Sequence, residues 1–185
     1  MNKNDIKEIL KIGLILFLIT AVSATLLAAV NTLTSPIIEA NNQAKRYEAM
    51  KKVMPGAENF EKVEFLDEGL SVTEVYSAFG MGYVVLAEPK GYGGAISLVV
   101  GVDDELTVTG IDITNQSETP GLGANCQKPD FMGQFKGKTS GITVVKGTAT
   151  GNQIDAITSS TVTSKAVTKG VNDALLAAEI VKEGK

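Results

Sequence analysis

The chain has 185 residues, 44% of them hydrophobic, and a formal net charge of −4. This length allows one domain with a small additional segment, and the acidic balance argues against a nucleic-acid-binding protein. The sequence has no His and a single Cys, which excludes His-dependent nucleophilic catalysis, His-ligated metals and an intramolecular disulfide. We therefore predict no catalytic side chain and no metal ligand, and expect any redox chemistry to come from a cofactor.

A long apolar segment near the N-terminus is the first predicted element. No charged residue lies between Lys11 and Glu39, and the run from Ile12 to Val30 exceeds the core of a typical signal peptide. A bilayer takes about 20 such residues. Although the small pair Ala28-Ala29 would suit cleavage, the length favours a retained membrane anchor over a cleaved signal peptide.

The distribution of lysines predicts how this anchor is oriented. Lys3, Lys7 and Lys11 precede the span, whereas the first basic residue after it is Lys45. Positive residues accumulate on the cytoplasmic side of a membrane span. We therefore expect a single-pass protein of the plasma or inner membrane, with a cytoplasmic N-terminus and an extracytoplasmic domain.

The rest of the chain predicts a helix followed by a sheet. Residues from Pro36 to Met54 suit a helix that continues from or follows the span, and Pro55-Gly56 ends it. Five runs rich in β-branched and aromatic residues then predict strands, of which the last two form a hairpin. The runs are Lys62 to Leu66, Val72 to Phe79, Tyr83 to Ala87, Ile96 to Val102 and Leu106 to Ile113, with turns at Asp67-Glu68-Gly69 and Asp103-Asp104-Glu105.

The C-terminal part predicts a short helix from Phe131 to Phe135, a strand from Ile142 to Val145 and an amphipathic helix from Ser164 to Val181. Consecutive strands with helices at both ends indicate an α+β fold with a largely antiparallel sheet. We divide the chain into residues 1–35 with the transmembrane helix, a connecting helix over 36–56 and a domain over 57–185. Tyr92 is expected to pack in the core rather than support a site, and Cys126 to be a small, half-buried apolar residue.

A dense group of hydroxyls precedes the C-terminal helix, within the segment from Asp155 to Ser164. Hydroxyls at a helix start usually cap its free N–H groups, which is the favoured interpretation from the residues alone. The N-terminus of a helix is also a good phosphate site. Since capping needs only one or two hydroxyls, the surplus keeps a phosphate site open as the alternative.

The same segment resembles the flavinylation motif of the FMN-binding domain family, in which FMN is attached through its phosphate to a Thr. Asp155 and Thr158 match that motif, Thr161 matches the acceptor, and Ser159 and Ser160 replace the usual Gly and Ala. Two further segments support the resemblance. They are Glu118 to Ala124, similar to the loop that packs on the flavin ring, and Gly91 to Gly94.

This resemblance implies a covalent FMN and a set of site residues. The phosphate would be esterified to Thr161 and held by Thr158, Thr163 and Ser164, with Lys165 able to pair with it. The ring would be contacted by Glu118, Thr119, Gly121 and Leu122.

Within the family, the chain resembles the G subunits of Rnf complexes, the ion-translocating ferredoxin:NAD⁺ oxidoreductases. That implies an electron-relay subunit that is not catalytic alone. Its partners would be the other redox and membrane subunits and a flavin transferase for maturation. Three alternatives stay open: a C-subunit-like component of a Na⁺-translocating NADH:quinone reductase, a standalone membrane-anchored flavin reductase, and a tethered binding module without a cofactor.

Overall fold

The computed structural model describes residues 3–65 and 69–184, so Leu66, Asp67 and Glu68, where a strand end and a turn are predicted, lie outside the described residues. Helix α1 spans Lys3–Val53 and includes Pro36. The chain divides into two compact units, the first ending at Ala44 and the second covering Lys45–Lys185. The boundaries expected at residues 35 and 56 stay predictions.

The first unit is a single apolar helix. Within α1, an 18-residue segment has a mean hydropathy of 2.5 and is 0% buried, so the helix is long and apolar enough to cross a membrane. The hydroxyls of Thr20, Thr25 and Thr32 donate hydrogen bonds to carbonyl oxygens four residues earlier, at 3.0, 2.8 and 2.9 Å. These polar groups are therefore satisfied within the helix, as a lipid environment requires.

The second unit is built on a five-stranded antiparallel sheet in the order β1-β2-β3-β4-β5. The predicted antiparallel sheet and its last hairpin are confirmed. The strands are β1 Glu61–Val63, β2 Val72–Ala78, β3 Gly82–Ala87, β4 Ser97–Val102 and β5 Val108–Asn115. Strands β3 and β4 are buried along nearly their whole length because both faces of the sheet are covered.

Helices from opposite ends of the chain cover the two faces. On one face lies the long amphipathic helix α3, Thr161–Glu183, whose Val167, Val171 and Leu175 join the main core. On the other face, Met50 and Val53 near the end of α1 pack with buried residues of β3 and β4. The expected α+β architecture is therefore observed.

Close packing of both helices depends on glycine. A Cβ at Gly101 would lie 2.6 Å from the carbonyl oxygen of Val53 in α1, and one at Gly170 of α3 would lie 2.7 Å from Pro89. Real Cβ atoms essentially never approach so closely. At these two points each helix therefore packs more closely than a side chain would allow.

Smaller elements complete the unit. A 3₁₀ turn over Gly123–Gln127 leads to α2, Pro129–Met132, and to a second 3₁₀ turn over Gly133–Phe135. Strands β6, Thr143–Val145, and β7, Gln153–Asp155, form a parallel pair. Strand β7 was not predicted, because three residues are too few to establish an alternating pattern.

Two predicted boundaries are wrong in an informative way. Phe79 was expected to end a strand, but it follows β2 in the turn to β3 and is 69% exposed. Helix α3 begins at Thr161, three residues before the expected start at Ser164. The early start places the hydroxyl-rich residues 161–164 inside the first helical turn.

Asp173 joins α3 to the segment before β2. Its Oδ2 accepts hydrogen bonds from the Ser71 N–H at 2.9 Å, the Ser71 hydroxyl at 2.6 Å and Lys169 Nζ at 2.5 Å. Burial raises the pKa of Asp173, but the Lys169 and Ser71 bonds outweigh it, so the pKa of this carboxyl lies below its ordinary value.

We predict that Asp173→Asn lowers the free energy of unfolding of the full-length protein by about 1–3 kcal/mol at pH 7, since the charged hydrogen bonds are weakened. Because the folded pKa is depressed, the stabilisation is present above the unfolded pKa and is lost as the pH falls through the folded value. Urea titrations at pH 7 and at about pH 3 measure this. Asp104→Asn, at an exposed turn, is the control, and an equal loss at both pH values would contradict the assignment.

Candidate cofactor site

Glu118 connects three separate segments next to the start of α3. Its side chain is only 5% exposed. One carboxylate oxygen, Oε1, accepts a hydrogen bond from the Gly93 N–H at 2.7 Å, and Oε2 accepts one from the Thr163 hydroxyl. The Glu118 N–H itself donates to the Gln116 side-chain oxygen at 2.5 Å. The carboxylate therefore fixes its own loop to the Gly91–Gly94 loop and to the first turn of α3.

Glycines make room for this carboxylate. A Cβ at Gly123 would lie 2.5 Å from Glu118 Oε2 and 2.7 Å from Thr163 Oγ1. A Cβ at Gly91 would overlap Glu118 Oε1, and one at Gly93 would overlap the Ser117 carbonyl oxygen. The Gly-rich character of both loops thus follows from close packing around one buried anion.

The start of α3 leaves its backbone donors without a side-chain cap. Ser160 occupies the N-cap position, yet no side-chain capping hydrogen bond is formed there. Ser164 turns inward instead, where its hydroxyl accepts from the Ile157 N–H at 2.9 Å and donates to the Ser160 carbonyl at 3.0 Å. The favoured capping interpretation of the hydroxyl cluster is therefore wrong for the first turn, which favours the phosphate alternative.

Ser159 holds an unusual backbone conformation at this helix start. Its φ is +62°, in the left-handed region that glycine adopts readily. In the family motif, a glycine normally stands at this position. The structure therefore shows why glycine suits the position, and that this chain forms the same turn with a serine.

A cavity of about 510 Å³ opens beside the first turn of α3. This volume lies within the usual range for ligand sites, about 300–1,000 Å³. Its walls include five of the predicted site residues, drawn from two separate segments: Glu118, Thr119, Leu122, Thr161 and Thr163. The full lining is Tyr92, Glu118, Thr119, Leu122, Gly123, Ser159, Ser160, Thr161, Val162 and Thr163.

The remaining predicted residues lie elsewhere. Thr158 and Gly121 line an adjoining concavity of about 450 Å³, which shares Leu122 and Ser159 with the first cavity. Ser164 is fully buried beneath the helix start. Lys165 is exposed and lines neither cavity.

Sequence reasoning missed several wall residues. Tyr92 was expected in the core, but it is 77% exposed at the cavity, and Val162 is 56% exposed beside it. The Gly-rich sequence around Tyr92 was the available signal, since a loop without side chains leaves an aromatic ring uncovered. Val162 gave no signal, because a lone Val in a helical pattern usually faces the core.

The electrostatics around the cavity are simple. Burial, followed by the negative charge of Glu118, raises the pKa of the Cys126 thiol to about 11, so the thiol stays protonated at neutral pH. Cys126 is fully buried, whereas a half-buried residue was predicted. Among the described residues there is no group of three or more potential metal ligands. The site therefore combines a helix N-terminus without a side-chain cap, the Thr161 hydroxyl and an apolar rim.

These features together suit a ligand that carries a phosphate and a flat apolar ring. The uncapped N-terminus of α3 favours the phosphate, and Thr161 lines the cavity at this terminus. The hydroxyl of Thr163, in the same cavity, donates to Glu118. Tyr92, Leu122 and Val162 offer exposed apolar surface at the rim. The residues present therefore fit FMN.

Comparison with known proteins defines the class. The family profile described as FMN-binding domain matches residues 91–176, which contain the cavity walls, and the profile described as RnfG N-terminal region matches residues 1–53. The NqrC structure from Shewanella oneidensis has a TM-score of 0.55 and 18% identity over 74% of each chain, which supports the fold alone. The chain is thus an FMN-binding-domain protein with an apolar N-terminal helix.

Two similar proteins show which family of FMN-binding-domain proteins this chain belongs to. The G subunit of the proton-translocating ferredoxin:NAD(+) oxidoreductase complex of Clostridium ljungdahlii is 40% identical over 83% of each chain. The G subunit of the Na(+)-translocating complex of Acetobacterium woodii is 39% identical over 91% of this chain and 90% of that one. The chain belongs to the G-subunit family of Rnf-type ion-translocating oxidoreductase complexes. The resemblance seen in three short segments is confirmed over most of the sequence.

We predict that Gly123→Ala destabilises the full-length protein by about 1–3 kcal/mol, because its Cβ would displace the Glu118 carboxylate or the Thr163 hydroxyl. Gly133→Ala is the matched control, since a Cβ there has no neighbour within 4 Å. Urea unfolding of both variants measures the difference. Equal stability of the two variants would contradict the packing account of the Glu118 bridge.

Proposed function

We propose that this protein is a membrane-anchored flavoprotein subunit. It relays electrons through FMN bound covalently to Thr161. It works within an Rnf-type complex that couples ferredoxin:NAD⁺ electron transfer to Na⁺ or H⁺ translocation. The other subunits of the complex are its partners, and a flavin transferase attaches the FMN.

The observation that carries this proposal is the position of Thr161. Thr161 is the first residue of α3 and lines the cavity at the helix end without a side-chain cap. A phosphoester on its hydroxyl would lie at the positive end of the helix dipole, beside backbone N–H donors. The family profile for the FMN-binding domain, which spans this residue, supports FMN as the group attached.

The neighbouring residues suit different parts of the cofactor. Thr163 lines the same cavity as Thr161 and would support the phosphate through its backbone N–H, because its hydroxyl donates to Glu118. Thr119 and Leu122 stand on the loop expected to contact the ring. Thr158 and Gly121 border this space from the adjoining concavity. FMN itself supplies the electron-accepting and electron-donating chemistry, and the protein holds the cofactor and shapes its surroundings.

A tethered flavin suits a relay outside the cytoplasm, because a phosphoester prevents the cofactor from diffusing away. The lysines at positions 3, 7 and 11 and the apolar helix support a cytoplasmic N-terminus and an extracytoplasmic domain. The names of the two relatives support ferredoxin and NAD⁺ as the ends of the electron path. Copurification with several multi-span subunits would separate this role from a standalone reductase.

We predict that Thr161 carries one FMN. Peptide mass spectrometry of protein from native membranes should find the mass of FMN less water on the Thr161 peptide, and none in Thr161→Ala. Thr148→Ala, an exposed threonine lining neither cavity, is the control and should be fully loaded. An unmodified wild-type peptide from a host that flavinylates other proteins would contradict the proposal, as would flavin retained by Thr161→Ala.

The proposed orientation predicts a labelling pattern in intact cells. In a Cys126→Ser background, Glu58→Cys should react with a membrane-impermeant maleimide, while Glu8→Cys should react only after the cells are permeabilised. Both glutamates are exposed, so burial does not limit the reaction. Labelling of Glu8→Cys alone in intact cells would reverse the assigned topology.

A further inference from the structure

Glu118 is a buried negative charge in the cavity wall. It is the only charged residue among the ten described residues that line the cavity. None of the three ion pairs formed within the described part of the chain includes it. Its two oxygens accept hydrogen bonds from the Gly93 N–H and the Thr163 hydroxyl, which are both uncharged donors. The charge is therefore solvated by dipoles and is not cancelled by a cation.

We infer that Glu118 acts as a fixed negative charge that lowers the reduction potential of the flavin held in this cavity. The inference rests on the proposed function, because it requires FMN on Thr161. When the flavin ring takes up two electrons and one proton, the cofactor gains one negative charge, and a like charge in the cavity wall opposes that step. Because the carboxylate is 5% exposed, solvent ions screen it much less than a surface charge.

The local structure places favourable dipoles around the carboxylate of Glu118. Thr163, which donates to Glu118, is the third residue of α3, so the carboxylate lies beside the positive end of this helix. The negative charge of Glu118 is also felt at Cys126, where it raises the thiol pKa. Glutamine at position 118 would keep the shape and an oxygen acceptor for Gly93 while removing the charge.

The test is a spectroelectrochemical titration of the flavinylated full-length protein in detergent. We expect Glu118→Gln to favour the reduced flavin over the oxidised flavin by about tenfold, equivalent to a shift of about +30 mV for a two-electron couple. Glu105→Gln makes the same change in net charge in the turn at the other end of β5 and should leave the potential unchanged. A flavin-loaded Glu118→Gln protein with the wild-type potential would overturn the inference.

A second variant tests the same inference if Glu118→Gln does not accumulate as a folded protein that carries flavin. Val162 is 56% exposed at the same cavity, so Val162→Lys places a cation there without altering the hydrogen bonds of Glu118. Its potential should rise relative to that of Val162→Gln, and equal potentials would overturn the inference. Wild-type protein that carries no flavin would instead overturn the proposed function, so the two failures are distinguishable.

Discussion

The bridge from the Glu118 carboxylate to Gly93 and Thr163 is the constraint on which the site depends. Glu118 follows β5, Gly93 lies between β3 and β4, and Thr163 belongs to the first turn of α3. This contact links three segments that are distant in the sequence and that together enclose the cavity. A buried carboxylate is costly unless its hydrogen bonds are satisfied, and here the N–H and hydroxyl donors satisfy both oxygens.

The sheet positions this bridge by packing helices on both of its faces. Helix α3 reaches the sheet where Gly170 allows contact with Pro89, and α1 reaches it where Gly101 leaves room for the Val53 carbonyl. With α3 fixed along its length, its N-terminus is fixed as well. A rigid helix terminus is a preorganised anion site, because its N–H groups need not reorient when a phosphate arrives. The core packing of α3 therefore holds the Thr161 hydroxyl in a stable position.

The elements that could be predicted from sequence are those long enough to show a clear pattern of residue types. The runs from Val72 to Phe79 and from Tyr83 to Ala87 are rich in β-branched and aromatic residues, and both form strands. Strand β7 could not be predicted, since its three residues are too few for a period to be recognised. The long apolar helix could be predicted from length and composition alone, and both are visible in the run from Ile12 to Val30. The site was predictable in its motif but not in the roles of its residues. Thr161 and Glu118 were expected to contact the cofactor, and both line one cavity. Sequence could not show that Glu118 is a buried bridge, since that follows from Gly93 and Gly123 folding against it.

The structure of protein purified from native membranes would test most directly the claim that the cavity beside α3 holds FMN through Thr161. We predict density for the FMN phosphate continuous with Thr161 Oγ1, and the ring in the cavity between the Glu118 loop and the first turn of α3. Flavin density on another residue, or in the adjoining concavity with Thr161 unmodified, would contradict this claim.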